Sequence, residues 1–203
     1  MRIIKIPLMV FTIILTASVL AAQAPETAPQ AELRPAAEVQ SPWSSTIVFV
    51  RYGSFSPSEK IFKTVYGSGS IYSGELRLHV KSGFYLSLEG GYFKKKGKLT
   101  VTQEPTTMTI FPIDAMVVFH PLSGHIMPYI GAGGSACKYT EKNVIGKVNE
   151  WGYGLAVCGG VTARWRSIGI DARVNYSSVK VKPLENDVNL GGLTFSIAAG
   201  YMF

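Results

Sequence analysis

The sequence is short of long hydrophobic runs. Apart from the segment 6–20, no stretch approaches the roughly 18 to 20 consecutive apolar residues that a membrane-spanning helix requires. Charged residues are also scarce, at 16% of the chain, whereas 47% of the residues are hydrophobic and 21 are glycine. These features exclude a bundle of membrane-spanning helices and favour a closed β-barrel, the other architecture that can cross a membrane.

Residues that commonly carry catalytic or metal chemistry are few. The chain has two cysteines and three histidines, and it contains no HExxH or CxxC motif, no metal-ligand spacing and no glycine-rich phosphate loop. Ser123 lies near His120 and His125, but in a turn where serine and glycine are ordinary. We therefore predict no catalytic residues, no metal and no cofactor, and we predict that the protein is not an enzyme.

The N-terminus has the features of a secretory signal peptide. Arg2 and Lys5 precede the apolar segment, and three small alanines follow it between positions 21 and 24. This pattern predicts export and cleavage between Ala21 and Ala24, with residues 1–22 assigned to the signal peptide. An uncleaved membrane anchor is the alternative.

The chain after the signal peptide divides into two parts. Residues 23–43 consist mainly of Ala, Pro, Gln and Glu, so they cannot bury enough apolar surface to fold and are predicted to form a disordered tether. Residues 44–203 suffice for one domain, which we predict to be an outer-membrane β-barrel.

Alternation of apolar and polar residues predicts eight strands, most clearly in the final segment 193–203. Short connections alternate with long ones, as in outer-membrane barrels. We predict an all-β fold, an eight-stranded antiparallel up-and-down transmembrane β-barrel with periplasmic termini. A soluble sandwich or lipocalin-like barrel is the alternative. The predicted strands are 45–55, 68–80, 84–94, 109–120, 127–139, 151–165, 168–178 and 190–203, and the long connections are 56–67, 95–108, 140–150 and 179–189.

Aromatic residues fall at two levels of the predicted strands. In several strands the residues that mark the two levels are eight positions apart, about 20 Å along a tilted strand, which approaches the roughly 25 Å apolar band of a membrane barrel. The pattern predicts two membrane girdles. Their predicted members are Tyr72, Phe84, Tyr92, Phe111, Phe119, Tyr153, Trp165, Tyr176 and Tyr201.

Charged residues share the opposite strand face, which would point into the lumen. Eight strands leave an interior that side chains fill, and isolated charges would be very costly there. A balanced set of four acids and four arginines therefore predicts a salt-bridged, closed lumen. A gated polar conduit is the alternative. The predicted lumen charges are Arg51, Glu75, Arg77, Glu89, Asp114, Arg164, Asp171 and Arg173.

Cys137 and Cys158 also have inward parity, on neighbouring predicted strands. A hairpin centred near Lys147 and Val148 would place them directly opposite each other, at a separation that suits a disulfide, and the periplasm is oxidising. Two buried thiols in a slightly different register are the alternative, and the sequence leaves both open.

Lysines outnumber acids in the predicted external loops. Lysines at that level should contact anionic lipopolysaccharide favourably, so outer-membrane lipid and lipopolysaccharide are the predicted partners. Nucleic-acid binding is not expected, because the net charge of +7 includes Arg2 and Lys5 and the remainder is spread over loops. We expect a monomer.

Two segments resemble a known family. PIDAMVVFHPLSGHIMPYIGAGGSACKYTEKN (112–143) resembles the strand–turn–PYxGAG–strand hairpin of small outer-membrane β-barrels, including the outer-membrane protein W group. NLGGLTFSIAAGYMF (189–203) resembles the last strand of the superfamily that also holds the outer-membrane protein A transmembrane domain. The resemblance implies a Gram-negative outer membrane and recognition of Phe203 by the barrel-assembly machinery. The protein W group also implies a narrow apolar passage, from which the charged inward positions depart.

These patterns together predict a non-enzymatic integral outer-membrane barrel with a salt-bridged lumen and basic external loops. Such a protein would support envelope integrity or surface interaction. The alternatives are a narrow channel for small solutes, including hydrophobic ones, and a lipid A-modifying barrel enzyme.

Overall fold

The computed structural model describes residues 46–98, 105–142, 146–181 and 188–203. The predicted signal peptide and tether lie outside these residues. Most of the described chain is strand. The strands are β1 Ile47–Pro57, β2 Gly69–Lys81, β3 Phe84–Lys98, β4 Pro105–Phe119, β5 Ile126–Lys142, β6 Lys147–Trp165, β7 Ile168–Val181, β8 Val188–Asn189 and β9 Gly192–Met202, with helix α1 Lys60–Tyr66 between β1 and β2.

The strands close into a ring of eight. Each strand from β1 to β7 pairs antiparallel with its successor, and β9 pairs with both β7 and β1. The short strand β8 pairs with β7 in the same register as β9, so β8 and β9 form one strand interrupted at Leu190 and Gly191. The predicted eight-stranded, up-and-down transmembrane β-barrel is thus confirmed.

The strands extend further than predicted at the end of the barrel that carries the long connections, which we call the loop end. The opposite end, with the tight turns, is the turn end. At the loop end β3 continues to Lys98, and the β5–β6 hairpin is paired up to Lys142 and Lys147. The predicted connections 95–108 and 140–150 were therefore wrong over much of their length. Polar strand residues beyond the apolar band have the same composition as a loop, so alternation alone did not reveal them.

Helix α1 is a further difference from the prediction. Its seven residues span only about two turns, too few for a helical periodicity to stand out in the sequence. No helix in the described part of the chain has the length and apolar character needed to cross a membrane.

The structure places all nine predicted girdle residues on the outer face. Neighbouring strands bring their rings together: Tyr92 and Phe111 have centroids 5.1 Å apart at the loop end, and Phe84 and Phe119 have centroids 4.7 Å apart at the turn end. Such tilted ring pairs add stabilisation beyond their buried area. Between the two levels the outer face presents mainly Val, Leu and Ile, with Ala and Gly, and lipid can cover this apolar surface.

Two apolar clusters fill the ends of the interior. Phe49, Met116 and Met202 belong to the cluster nearer the turn end, and Phe55 and Phe93 belong to the cluster at the loop end. The predicted lumen charges, except Arg164, lie between them. The interior is therefore packed with side chains, as expected for a ring of eight strands.

Gly133 and Gly134 on β5 provide a matched test of this packing. A Cβ atom at Gly133 would lie 2.0 Å from the carbonyl oxygen of Ala115 on β4, whereas nothing lies within 4 Å of one at Gly134. We expect Gly133→Ala to destabilise the barrel by about 1–3 kcal/mol and Gly134→Ala to leave its stability unchanged. Urea unfolding in detergent micelles measures both, and equal midpoints would show that β4 and β5 do not approach this closely.

Candidate functional site

Six charged side chains meet in the middle of the barrel. They come from β1, β2, β3 and β7, and all point inward because they share the inward parity of their strands. All six are at least nine-tenths buried. We call them the charge network: Arg51, Glu75, Arg77, Glu89, Asp171 and Arg173.

Arg51 joins three carboxylates. Its Nη1 lies 2.6 Å from Asp171 Oδ1, and its Nη2 lies 2.5 Å from Glu75 Oε2. Its Nε is 3.9 Å from Glu89 Oε1. Arg51 therefore ties β1 to β2, β3 and β7 through a single guanidinium group.

Arg173 connects opposite walls. Its Nη2 pairs with Glu89 Oε2, and β7 and β3 lie on opposite sides of the ring. Its Nη1 is also 3.6 Å from Glu75 Oε2. The carboxylate of Glu89 accepts a further hydrogen bond of 2.6 Å from Ser73 Oγ. This pair thus spans the lumen, instead of linking neighbouring strands.

Each of the other two carboxylates also has several donors. Glu75 accepts from Arg77 Nη2 at 2.8 Å and from Ser87 Oγ at 2.6 Å. Asp171 accepts from Tyr129 at 3.0 Å and from Thr162 Oγ1 at 2.8 Å. Buried ion pairs are tolerated only when their remaining lone pairs are also satisfied, and this network meets that condition at its carboxylates.

Aromatic rings enclose Arg77. Its guanidinium carbon lies 4.6 Å from the ring centroid of Tyr129 and 5.3 Å from that of Phe49. Its Nη1 is 3.2 Å from His120 Nε2, and since arginine only donates, this imidazole nitrogen accepts. The partners Phe49, Tyr129 and His120 were missed as members of the site, although their inward parity was visible in the sequence.

Two predicted lumen charges lie outside the charge network. Asp114 is buried, but its carboxylate accepts from Ser135 Oγ at 2.5 Å and from Asn175 Nδ2 at 3.3 Å, and no arginine of the described residues forms an ion pair with it. Arg164 is half-exposed at the turn end, where its Nε donates to the backbone oxygen of Arg166 at 3.1 Å. Placing Arg164 among the lumen charges was therefore wrong. Its parity was right, but it sits where the ring opens to solvent.

The predicted disulfide is also wrong. Cys137 and Cys158 are both free and buried. The β5–β6 hairpin pairs Cys137 with Gly152 and Gly131 with Cys158, so the two thiols are six residues apart in register, about 20 Å along the strand. Because the register pairs Lys142 with Lys147, Lys147 lies within the paired strand and is not at the predicted centre of the hairpin.

A small cavity lies on the loop side of the charge network. It measures about 40 Å³, and both polar and apolar side chains line it. Arg51 Nε, Arg173 Nε and Asn175 Oδ1 belong to this lining and are buried without a hydrogen-bond partner among the residues that the structure describes. The space and polarity suit a few water molecules.

Helix α1 lies against the loop-end cluster. The Tyr66 hydroxyl donates to Glu141 Oε1 at 2.7 Å, and Tyr139 donates to the other oxygen of the same carboxylate. The Phe62 ring packs on Tyr66 and Tyr139, with centroids 5.8 and 6.0 Å away. Burial and the nearby Glu141 carboxylate raise the pKa of Tyr66 above its usual 10, so the phenol remains a donor at neutral pH.

Gly97 on β3 permits helix α1 to approach the strand. A Cβ atom at this position would lie only 2.5 Å from the backbone oxygen of Val65.

Solved structures of other barrels match this arrangement of strands. OprG, an outer-membrane protein of Pseudomonas aeruginosa, matches with a TM-score of 0.63 at 14% identity, over 79% of this chain and 96% of its own. The fold is that of the small outer-membrane β-barrels. Neisserial surface protein A matches this barrel with a TM-score of 0.57 at 15% identity, over 79% of this chain and 97% of its own.

A third match is the attachment invasion locus protein Ail of Yersinia pestis. Its TM-score is 0.51 at 16% identity, over 78% of this chain and 97% of its own. No protein-family model matches the sequence, and no curated protein does. The fold-level resemblance to small outer-membrane barrels is confirmed, and at these identities the likeness concerns the fold alone.

The charge network predicts a large loss of stability from a single substitution. Arg173→Ala leaves the Glu89 carboxylate buried without its arginine, so we expect a loss of about 3–5 kcal/mol. Lys95→Ala removes an exposed amine that donates to Ser68 O, and we expect a loss below about 1 kcal/mol. Urea unfolding in detergent compares them, and similar midpoints would mean that the charged face does not line a closed interior.

The contact between Tyr66 and Glu141 predicts how firmly α1 is held. Tyr66→Phe removes one donor, so we expect local opening of α1 to become easier by about 1 kcal/mol. Trypsin cleavage after Lys63 in micelles should then accelerate about fivefold. Tyr153→Phe, on the outer face, serves as the control and should leave the rate unchanged. Equal rates in all three proteins would show that the hydroxyl does not hold the helix.

Proposed function

We propose that the protein is a non-enzymatic integral outer-membrane barrel with a closed lumen, which supports the envelope or interacts with partners at the cell surface. The charge network is the observation that carries the proposal. Its arginines and carboxylates come from opposite walls and meet at the centre of the ring, with Arg51 and Arg173 in the middle.

The energetics of that network favour a plug over a gate. Opening an axial path requires separating pairs such as Arg173 and Glu89, and each buried charge left alone costs several kcal/mol. The cavity beside the network, at about 40 Å³, accommodates water but no larger solute. A closed barrel then offers its outer surface, the loops and α1 for function.

A narrow channel for small hydrophobic solutes is the second candidate. The apolar cluster at the loop end favours it, because Phe55, Phe93 and Ile110 line the interior there. A solute that followed the barrel axis would still meet the charge network below this cluster. For this reason we rank the channel behind the closed barrel.

A lipid-modifying enzyme has the weakest support. His120 Nε2 contacts Arg77, which leaves it poorly placed to activate Ser123 as a nucleophile. In the described ranges, no group of three His, Cys, Asp or Glu residues is arranged to hold a metal ion. We propose no cofactor for the protein.

Export and assembly complete the proposal. We propose a cleaved signal peptide, a Gram-negative outer-membrane location and a monomeric barrel. Phe203 is 70% exposed, its ring packs on Tyr201 at 4.8 Å, and its amide donates to Thr46 O. This exposed aromatic ring directly after β9 is available to the assembly machinery, which we propose as a partner during biogenesis.

Planar-bilayer recording tests the closed lumen. We expect the refolded wild-type barrel to show no steady conductance, because the charge network blocks the axis. The matched variant Glu89→Gln weakens the pair to Arg173 without changing side-chain volume, and we expect it to produce brief openings. Steady wild-type conductance would overturn the proposal in favour of a channel.

Two further measurements distinguish the remaining roles. A strain without the gene should take up more of an apolar dye if the barrel supports the envelope, and the wild-type gene should restore the barrier. Lipid A mass spectra should be identical with and without the gene. A mass change that depends on the gene would instead establish an enzyme.

A further inference from the structure

The outer face of β3 to β6 carries an ordered set of side chains just beyond the loop-end aromatic level. The strand register arranges them in rows that run across the four strands. The first row is Tyr92, Phe111, Lys138 and Trp151. The second row is Lys94, Thr109, Thr140 and Asn149. The third row is Lys96, Thr107, Lys142 and Lys147.

The three rows differ in chemistry with distance from the membrane band. The first is mostly aromatic, and Lys138 Nζ lies 6.0 Å from the Trp151 ring centroid. The second offers hydroxyl and amide groups, with Thr140 Oγ1 3.1 Å from Asn149 Oδ1. The third carries three lysines. Successive rows are about 7 Å apart along the strands, so the lysines stand at headgroup height if the aromatic row marks the interface.

Among the described residues of β3 to β6, the charges on this face are all positive. The two acids on the β5–β6 hairpin have the opposite parity: Glu141 bonds Tyr66 and Tyr139, and Glu150 stands opposite the buried Tyr139. At the same level on the far side, β1 and β2 present Ser54 and Ser70 outward. At this level the described residues of β1 and β2 thus carry no outward lysine, whereas β7, the strand beyond β6, presents Lys180 outward.

Lys142 and Lys147 are direct cross-strand partners. Like charges placed directly opposite each other destabilise a sheet, unless an anion lies between them. The nearest acid along the chain, Glu141, already accepts from Tyr66 and Tyr139 on the inner side. An anion from outside the protein would therefore relieve this pair.

We propose that this surface, the lysine face, binds the phosphorylated sugar headgroup of a glycolipid in the outer leaflet. Phosphate groups would contact Lys96, Lys142 and Lys147, and the sugar hydroxyls would face the threonines of the middle row. The acyl chains would cover the aromatic row and the apolar band beneath it. The proposal names a site on the barrel wall and rests on the proposed outer-membrane location.

A membrane lipid fits this surface better than a soluble polyanion. Tyr92, Phe111 and Trp151 are between 39% and 48% exposed directly below the lysines. A soluble polyanion would leave these rings in water, whereas a glycolipid brings its own apolar chains to them. Charge and apolar surface are thus complementary to a single amphiphile.

The test compares two triple variants of the full chain in detergent micelles. Lys96→Gln, Lys142→Gln and Lys147→Gln remove the third row, while Lys60→Gln, Lys63→Gln and Lys81→Gln remove the same charge elsewhere. Bisphosphorylated lipid A is titrated into each, followed by native mass spectrometry. We expect the first variant to bind on the order of 100-fold more weakly than wild type, and the control to bind like wild type. Equal binding by both variants would overturn the proposal.

Four further arms identify the source of the anion, verify folding and test the charge of the face. Dephosphorylated lipid A should bind the wild type as weakly as bisphosphorylated lipid A binds the first variant. Dextran sulfate should not compete at matched phosphate and sulfate concentrations, and full competition would assign the face to soluble polyanions instead. Heat-modifiable migration on a denaturing gel verifies that each variant is folded. The single variant Lys142→Glu provides an opposite charge for Lys147 and should also weaken lipid binding. If the barrel conducts ions but still binds lipid A, only the proposed closed lumen is refuted, and the proposed lipid site stands.

Discussion

The ion pairs of Arg51 hold the centre of the barrel, and the arrangement around them follows from the width of the ring. Eight strands enclose a space that side chains must fill. A guanidinium at its centre reaches Asp171 and Glu75 at 2.6 and 2.5 Å and so joins three strands at once. Each carboxylate it meets needs further donors, which explains why Tyr129, Thr162 and Ser87 surround the charges.

The interior and the exterior of the barrel therefore differ in chemistry. Inside, charges of both signs pair with one another, and apolar clusters lie toward the two ends. Outside, the same strands present an apolar band, then aromatic rings, and then lysines of one sign. A single alternation of side chains along each strand produces both surfaces, so every barrel residue belongs to one environment or the other.

That alternation also explains how much of the fold and of the charge network could be predicted from the sequence. Parity along β2, β3 and β7 was enough to place Glu75, Glu89 and Arg173 in the interior, because the period of two survives any error in strand ends. Parity does not report height along the strand, which is why Arg164 was misplaced. Parity does not report the strand register either. The β5–β6 register differs from the predicted one by a few residues, and Cys137 and Cys158 therefore lie apart. Helix α1 depends on tertiary contacts to Glu141 and Gly97, which have no signature in a seven-residue segment.

The pairing of β1 with β9 has a consequence for folding. Ile47 stands opposite Met202, so the seam that closes the ring joins residues about as distant in sequence as the barrel permits. Hairpins between successive strands can form locally, but this seam has to wait until β9 has been made. Until then β1 and the unfinished ring expose unpaired edges, which would associate with other chains if left in water. Closure is therefore the step at which a chaperone, or a surface that shelters strand edges, has the most influence on the yield of folded protein.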